Sequence, residues 1–139
     1  MRYHVINGPN MNMLGRREAI YGSVTLAEVE AMCRRWGEEM GVGVECFQSN
    51  HEGELVEAVH RAYGSQGLVI NGAGYGYTSV ALRDAVSACP APVVEVHMTN
   101  VAAREAFRRE SLLTPVVRGL IMGFGARVYL LALEALRGE

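Results

Sequence analysis

Thr25-Leu-Ala-Glu-Val-Glu-Ala-Met-Cys-Arg-Arg-Trp-Gly-Glu-Glu-Met-Gly-Val-Gly-Val-Glu-Cys-Phe47 carries two structural signals back to back. Leu26, Val29, Cys33, Trp36 and Met40 recur at three- and four-residue steps, which places them on one face of a helix. Thr25 and Glu28 have the spacing of a capping box, in which each side chain satisfies the other's backbone N–H, so the helix starts there. Gly41 stops it, and Val42 to Phe47 then reads as a short strand. One helix feeding directly into one strand is the repeating unit of an α/β fold.

The same unit recurs outward in both directions. Short apolar runs rich in β-branched residues lie at Tyr3 to Ile6, Gly67 to Ile70, Val93 to Val96 and Leu120 to Met122. A second helix fits Glu52 to Tyr63, with Leu55, Val56, Val59 and Tyr63 on one face, Asn50 or Ser49 as its cap and Gly64 at its end. A third begins near Thr78 or Ser79, and a last one fits Val128 to Leu136, with Tyr129, Leu130, Leu133 and Leu136 as its apolar face. Alternating strands and helices imply a parallel sheet. The expected fold is a flavodoxin-like, doubly wound sheet of five parallel strands, with residues 1–139 forming a single domain. Ligands of such sheets sit beyond the carboxyl ends of the strands.

Composition narrows the partner. With 139 residues, half of them hydrophobic, the chain can bury one core. A formal charge of -2 and a sequence pI near 6.1 show no basic excess, which argues against nucleic acid and anionic membranes and for a small molecule. No apolar run approaches the ~20 residues of a membrane helix, and Met1-Arg-Tyr-His4 runs straight into a strand, so the expected location is the cytoplasm. Cys33, Cys46 and Cys89, odd in number and widely spaced, fit neither a disulfide framework nor a zinc site and read as buried thiols. All thirteen basic residues are arginine, which excludes chemistry through a lysine Schiff base.

A candidate site emerges from where the polar residues fall. The stretch Asn7 to Tyr21 exceeds the ~2 to 6 residues of an ordinary strand-to-helix loop and carries asparagines, adjacent arginines and a tyrosine. Gln48, Ser49 and Asn50 follow the second apolar run, Asn71 to Thr78 the third, and His97, Thr99 and Asn100 the fourth. Loops are polar in general, so one such loop decides little. Four in succession gather at one edge of a parallel sheet. The glycine-rich stretch Asn71 to Ser79 lacks the Gly-Lys-Ser/Thr ending of a nucleotide loop and the spacing of a dinucleotide fingerprint.

These residues also carry a resemblance. Ile6 to Glu18, Ile20 to Gly22, Gln48 to Leu55, Thr78 to Ala85, Val94 to Asn100, Ala103 to Arg109 and Gly123 to Ala126 resemble, in collinear order, the motifs of type II 3-dehydroquinate dehydratase. The resemblance implies an anti elimination of water from 3-dehydroquinate through an enolate, with no metal and no cofactor. Absence of lysine agrees, because such an enolate must be stabilised by hydrogen bonds instead of an imine.

By position, Tyr21 matches the family's base and Arg17 the arginine whose charge favours the phenolate. His97 matches the general acid, and Glu95, two residues earlier on the same strand face, could orient its ring. Asn10 matches the residue that holds a water or the enolate oxygen. Asn71, Asp84, Arg108 and the backbone at Met98-Thr99 match substrate contacts. Read without the family, Asp84 is equally an ion-pair partner for Arg83 or Arg104, and Arg108-Arg109 a solvated pair. His4, His51 and His60 read as structural or exposed. The resemblance further implies a homo-dodecamer built from trimers, in which a neighbouring subunit's carboxylate approaches the site.

Four positions depart from the family pattern. Tyr77 stands where a substrate-binding histidine is usual; its phenol reaches about two bonds further and cannot become cationic. Arg17 to Tyr21 is a residue shorter than the common lid, and Ala102 and Glu110 replace common histidines. Two alternatives therefore stand beside the dehydratase reading. One is a diverged dehydratase of another cyclic or polyol-like β-hydroxy carbonyl compound, the other a non-catalytic binding relative.

Overall fold

Strands whose two faces are both apolar must be covered on both sides, and that requirement sets the architecture. The structure, a computed structural model, describes residues 1–138. In chain order its elements are β1 (Arg2–Asn7), α1 (Leu26–Met40), β2 (Gly43–Gln48), α2 (Glu52–Arg61), β3 (Gly67–Asn71), α3 (Val80–Ser87), β4 (Val93–His97), β5 (Gly119–Met122) and α4 (Arg127–Arg137). All pairings are parallel and the strand order is β2-β1-β3-β4-β5, the doubly wound order expected.

Alternate residues of each strand feed two cores. Tyr3, Val5, Val69, Val94 and Val96 pack with Val29, Cys33 and Trp36 of α1 and with Val128, Tyr129 and Leu133 of α4. On the opposite face Ile6, Leu68, Ile70 and Val93 pack with Leu55 and Val59 of α2 and Leu82 and Val86 of α3. Trp36 ties the first layer together by donating from its indole Nε1 to Glu134 Oε1 at 2.5 Å.

Helix signals mostly land where expected. The capping box of α1 is complete: Thr25 Oγ1 accepts the Glu28 N–H at 3.2 Å and Glu28 Oε1 accepts the Thr25 N–H at 3.0 Å. Gly41 adopts the left-handed conformation, φ 70°, that ends α1. Ser79 caps α3 by accepting from the Leu82 N–H. The second helix differs from its expectation. It closes at Ala62 rather than Gly64, because the Ala62 N–H turns back to Val59. Neither Ser49 nor Asn50 is its cap residue; His51 holds that position, and Ser49 Oγ accepts the His51 N–H at 2.9 Å.

All three cysteines are free thiols, although only Cys33 is fully buried; Cys46 and Cys89 are half-buried. Burial pushes the Cys33 thiol up to about 12 and Cys46 up to about 11, so neither is a nucleophile near neutrality. Among the described residues no helix is long and apolar enough to cross a membrane.

The direction of winding reverses between β1 and β3, whose last residues Asn7 and Asn71 are register partners. There the chain after β1 crosses the chain after β3 at backbone contact. A Cβ on Gly8 would stand 2.4 Å from the Gly72 carbonyl oxygen, so this crossing excludes any side chain. The reversal opens a crevice at the carboxyl edge of the sheet, and the candidate residues converge on it.

Candidate active site

A cavity of about 130 Å³ opens beyond the carboxyl ends of β1, β3 and β4. Each strand end and the loop behind it contributes one part of its wall.

After β1 the chain passes through a short 3-10 turn, and Asn10 adopts φ 69°, a left-handed conformation that asparagine tolerates better than most residues. The Asn10 N–H donates to Asn50 Oδ1 at 2.9 Å, and Gln48 Nε2 donates to the Gly8 carbonyl at 3.1 Å, so the loop after β2 braces the loop after β1. Tyr21 closes a second 3-10 turn and is half-buried. Arg17 Nη2 donates to its phenol oxygen at 3.3 Å, with the guanidinium carbon 4.0 Å from the ring centroid. A second guanidinium, that of Arg104, lies 5.1 Å from the same centroid. Two guanidinium groups thus face one phenol ring.

The opposite wall is built into the sheet. His97 ends β4, is buried, and its Nε2 lies 2.7 Å from Glu95 Oε2. Glu95 is fully buried. Burial alone would raise its pKa, but hydrogen bonds from His97, from Thr114 Oγ1 at 2.5 Å and from Ser111 Oγ at 2.8 Å outweigh it and hold the carboxyl below the ordinary range. An ionised Glu95 keeps a proton on His97 Nε2, which fixes the ring and leaves Nδ1 as its other nitrogen. Tyr77 stacks over the imidazole with centroids 6.4 Å apart and planes 23° apart. Burial pushes the Tyr77 phenol up, against the pull of Arg108 and Arg104, so it stays a neutral hydroxyl.

A family model described as Dehydroquinase class II matches residues 1–137. The chain belongs to that family. It is 54% identical over 134 residues to the 3-dehydroquinate dehydratase of Azorhizobium caulinodans, covering 96% of this chain and 91% of the relative. A second 3-dehydroquinate dehydratase, from Desulforudis audaxviator, is 53% identical over 137 residues, 97% of this chain and 91% of the relative. The crystal structure of type II dehydroquinase from Butyrivibrio crossotus superposes with a TM-score of 0.96 at 40% identity, covering 99% of this chain and 97% of that one.

Within this class II dehydroquinase fold, ten of the eleven sequence-derived candidates cluster. Asn10, Arg17, Tyr21, Asn71, Tyr77, His97, Met98, Thr99 and Arg108 line the cavity, and Glu95 stands directly behind His97. Asp84 does not join them. It is exposed on α3, and its Oδ1 pairs with Arg83 Nη1 at 3.0 Å, the plainer of the two readings its sequence position allowed. Arg108 lines the cavity while its Nε donates to Glu105 Oε1 at 3.0 Å, so it is held rather than free in solvent.

Sequence reasoning missed Arg104, Ser111, Thr114 and Tyr129. Arg104 lines the cavity between Tyr21 and Thr99, donating from Nη1 to Thr99 Oγ1 at 3.5 Å. Its place in the Ala103 to Arg109 motif, four residues before Arg108, was the available signal. Ser111 and Thr114 lie 16 and 19 residues from Glu95, and no local pattern links them. Among the described residues no group of three or more His, Cys, Asp or Glu side chains is arranged to hold a metal ion.

Proposed function

We propose that the protein dehydrates 3-dehydroquinate to 3-dehydroshikimate, a step of the shikimate route to aromatic amino acids. The observation that carries this reading is the pairing of opposites on one cavity: an arginine-bound tyrosine on one wall and a glutamate-bound histidine on the other. Relatives named 3-dehydroquinate dehydratase at about half identity support it.

The chemistry assigns each wall one proton. Tyr21, as phenolate beside Arg17, removes the proton on the carbon next to the ketone, and the C–H electron pair becomes the enolate. Asn10 holds a water or the enolate oxygen, so the negative charge is spread onto hydrogen bonds rather than an imine. The enolate then reforms the ketone, and the released pair forms the ring double bond as the β-hydroxyl departs. His97 gives that hydroxyl its proton and water leaves. Glu95 balances the charge on the imidazole and keeps its orientation. Arg108, Asn71 and the Met98-Thr99 backbone hold the carboxylate and hydroxyls at the rim.

Incubation of the purified protein with 3-dehydroquinate should produce the enone absorbance of the product. No absorbance change at high enzyme concentration would end this reading. We also propose a homo-dodecamer of trimers in the cytoplasm. Asp84, exposed and outside the cavity of its own chain, is the carboxylate that would approach a neighbour's site in that assembly. Light scattering should give twelve times the 15.2 kDa chain mass, and a monomeric mass would exclude the assembly.

A further inference from the structure

Asn71 is tied into the core by polar groups from opposite ends of the sequence. Asn7 closes β1 and Asn71 closes β3, side by side in the sheet, while Tyr129 reaches both from α4. Asn7 and Tyr129 are 0% exposed and Asn71 is 5% exposed. Tyr129 Oη lies 3.1 Å from Asn71 Nδ2 and 2.5 Å from Asn7 Oδ1.

The direction of every bond in this chain follows from one obligate donor. The Ala73 N–H can only donate, and it lies 3.1 Å from Asn71 Oδ1, which fixes the oxygen end of that carboxamide. Asn71 Nδ2 must then donate to Tyr129 Oη. A phenol has a single proton, so Tyr129, accepting from Asn71, sends its own proton to Asn7 Oδ1. Burial pushes the Tyr129 phenol up, so that proton stays in place across the ordinary pH range. Among the described residues the second hydrogen of Asn71 Nδ2 has the Met11 thioether sulfur, at 3.7 Å, as its acceptor, and sulfur is a weak one. Asn71 and Met11 both line the cavity.

We propose that Tyr129 is a positioning residue for the reaction: its hydroxyl locks Asn71 as a hydrogen-bond donor facing the cavity, where an acceptor oxygen of the substrate replaces the Met11 sulfur. The identity of that substrate rests on the dehydratase reading; the polarity of the lock does not. Asn7 completes the device without reaching the cavity. Its Nδ2 has no partner among the described residues, so Tyr129 is what orients it. A packing role would need the aromatic ring alone, which phenylalanine supplies. Without the hydroxyl, the Ala73 N–H still holds the Asn71 oxygen, but Nδ2 loses its oxygen acceptor in the core. The carboxamide is then anchored at one end instead of two, and its presentation to the cavity loosens.

A kinetic double-mutant cycle tests the lock. Tyr129→Phe should lower kcat/KM for 3-dehydroquinate about 5- to 20-fold, the scale of one buried hydrogen bond, and mostly through KM. In an Asn71→Ala background the same change should cost less than about twofold. Equal losses in both backgrounds overturn the proposal, because Tyr129 would then act without Asn71. Should Tyr129→Phe not fold, Asn7→Ala removes the acceptor of the phenol proton and should give a smaller loss that likewise vanishes beside Asn71→Ala. Crystallography of the wild-type protein at about 1 Å, where amide oxygen and nitrogen are distinguished, supplies a readout independent of turnover. Asn71 nitrogen against Tyr129 supports the lock even if dehydroquinate is not a substrate; oxygen there overturns it.

Discussion

The two walls of the cavity are made in different ways. Tyr21 stands on irregular chain, two 3-10 turns and a left-handed asparagine, and contacts Arg17 and Arg104 at half-buried depth. His97 stands on a central strand, and the carboxylate behind it takes three hydrogen bonds while fully buried. The proposed base is thus held by charge at the protein's edge, and the proposed acid by a satisfied polar network in its interior. Interactions of the first kind are weak and adjustable; those of the second are rigid and costly to break. A reaction that must admit a polar substrate and then hold its leaving group benefits from one wall of each kind.

Removing the proposed base from the adjustable wall gives the largest expected effect. Tyr21→Phe should reduce kcat about 10³-fold while 3-dehydroquinate still binds, checked by steady-state kinetics and calorimetry. Turnover within tenfold of the wild type would mean that another group takes the proton.

Ser111→Ala probes the rigid wall. It removes one donor to Glu95, so burial gains over the remaining bonds and the carboxyl pKa rises. A carboxylate whose folded pKa lies below its unfolded value of ~4.3 stabilises the fold fully above that pH, and the contribution is lost as pH falls through the folded pKa. In the variant that loss moves to higher pH. Activity at neutral pH should fall roughly tenfold, and the acid limbs of both kcat and thermal stability should shift upward together. A shift in activity without one in stability would break the link between Glu95 and the core.

Gly8→Ala addresses the seam where the two walls meet. A methyl 2.4 Å from the Gly72 carbonyl must push two backbones apart, and thermal unfolding should report about 1–3 kcal/mol of lost stability. An unchanged melting temperature would show that the seam yields freely. The smallest effect belongs to Tyr77→His, which replaces the ring stacked on His97 with the residue that the family resemblance leads one to expect there. Dehydroquinate turnover should rise a few-fold in the same assay, and no gain removes the case that Tyr77 retunes the substrate end of the cavity.

The fold was legible because each signal was local. Thr25 with Glu28, Gly41 and the apolar runs act within a few residues, and the structure places them as read. Where α2 ends was not legible: Gly64 was available as a stop, yet backbone bonds from Ala62 and Tyr63 close the helix first. Much of the site was also legible, since in a parallel sheet the residues after each strand share one edge whatever the packing. What stayed hidden are groups that act on the site through space. Ser111 and Thr114 hold Glu95 from a later loop, and Tyr129 binds Asn7 across 122 residues of sequence. Asp84 shows the converse, a motif position whose side chain pairs with its neighbour Arg83 outside the cavity.

The sealed carboxylate has a consequence for proton traffic over a full cycle. In the proposed reaction Tyr21 ends each turnover carrying a proton and His97 ends it one short. Glu95 cannot resupply the imidazole, because its oxygens already accept from His97, Ser111 and Thr114 and its carboxyl is held ionised. The acid must therefore be recharged from beside the ring, and His97 borders two spaces that could supply it, the candidate cavity and a second cavity that Ser111 and Thr114 also line. Proton return then has a route separate from product departure, and a solvent isotope effect on kcat should grow when that second route is narrowed.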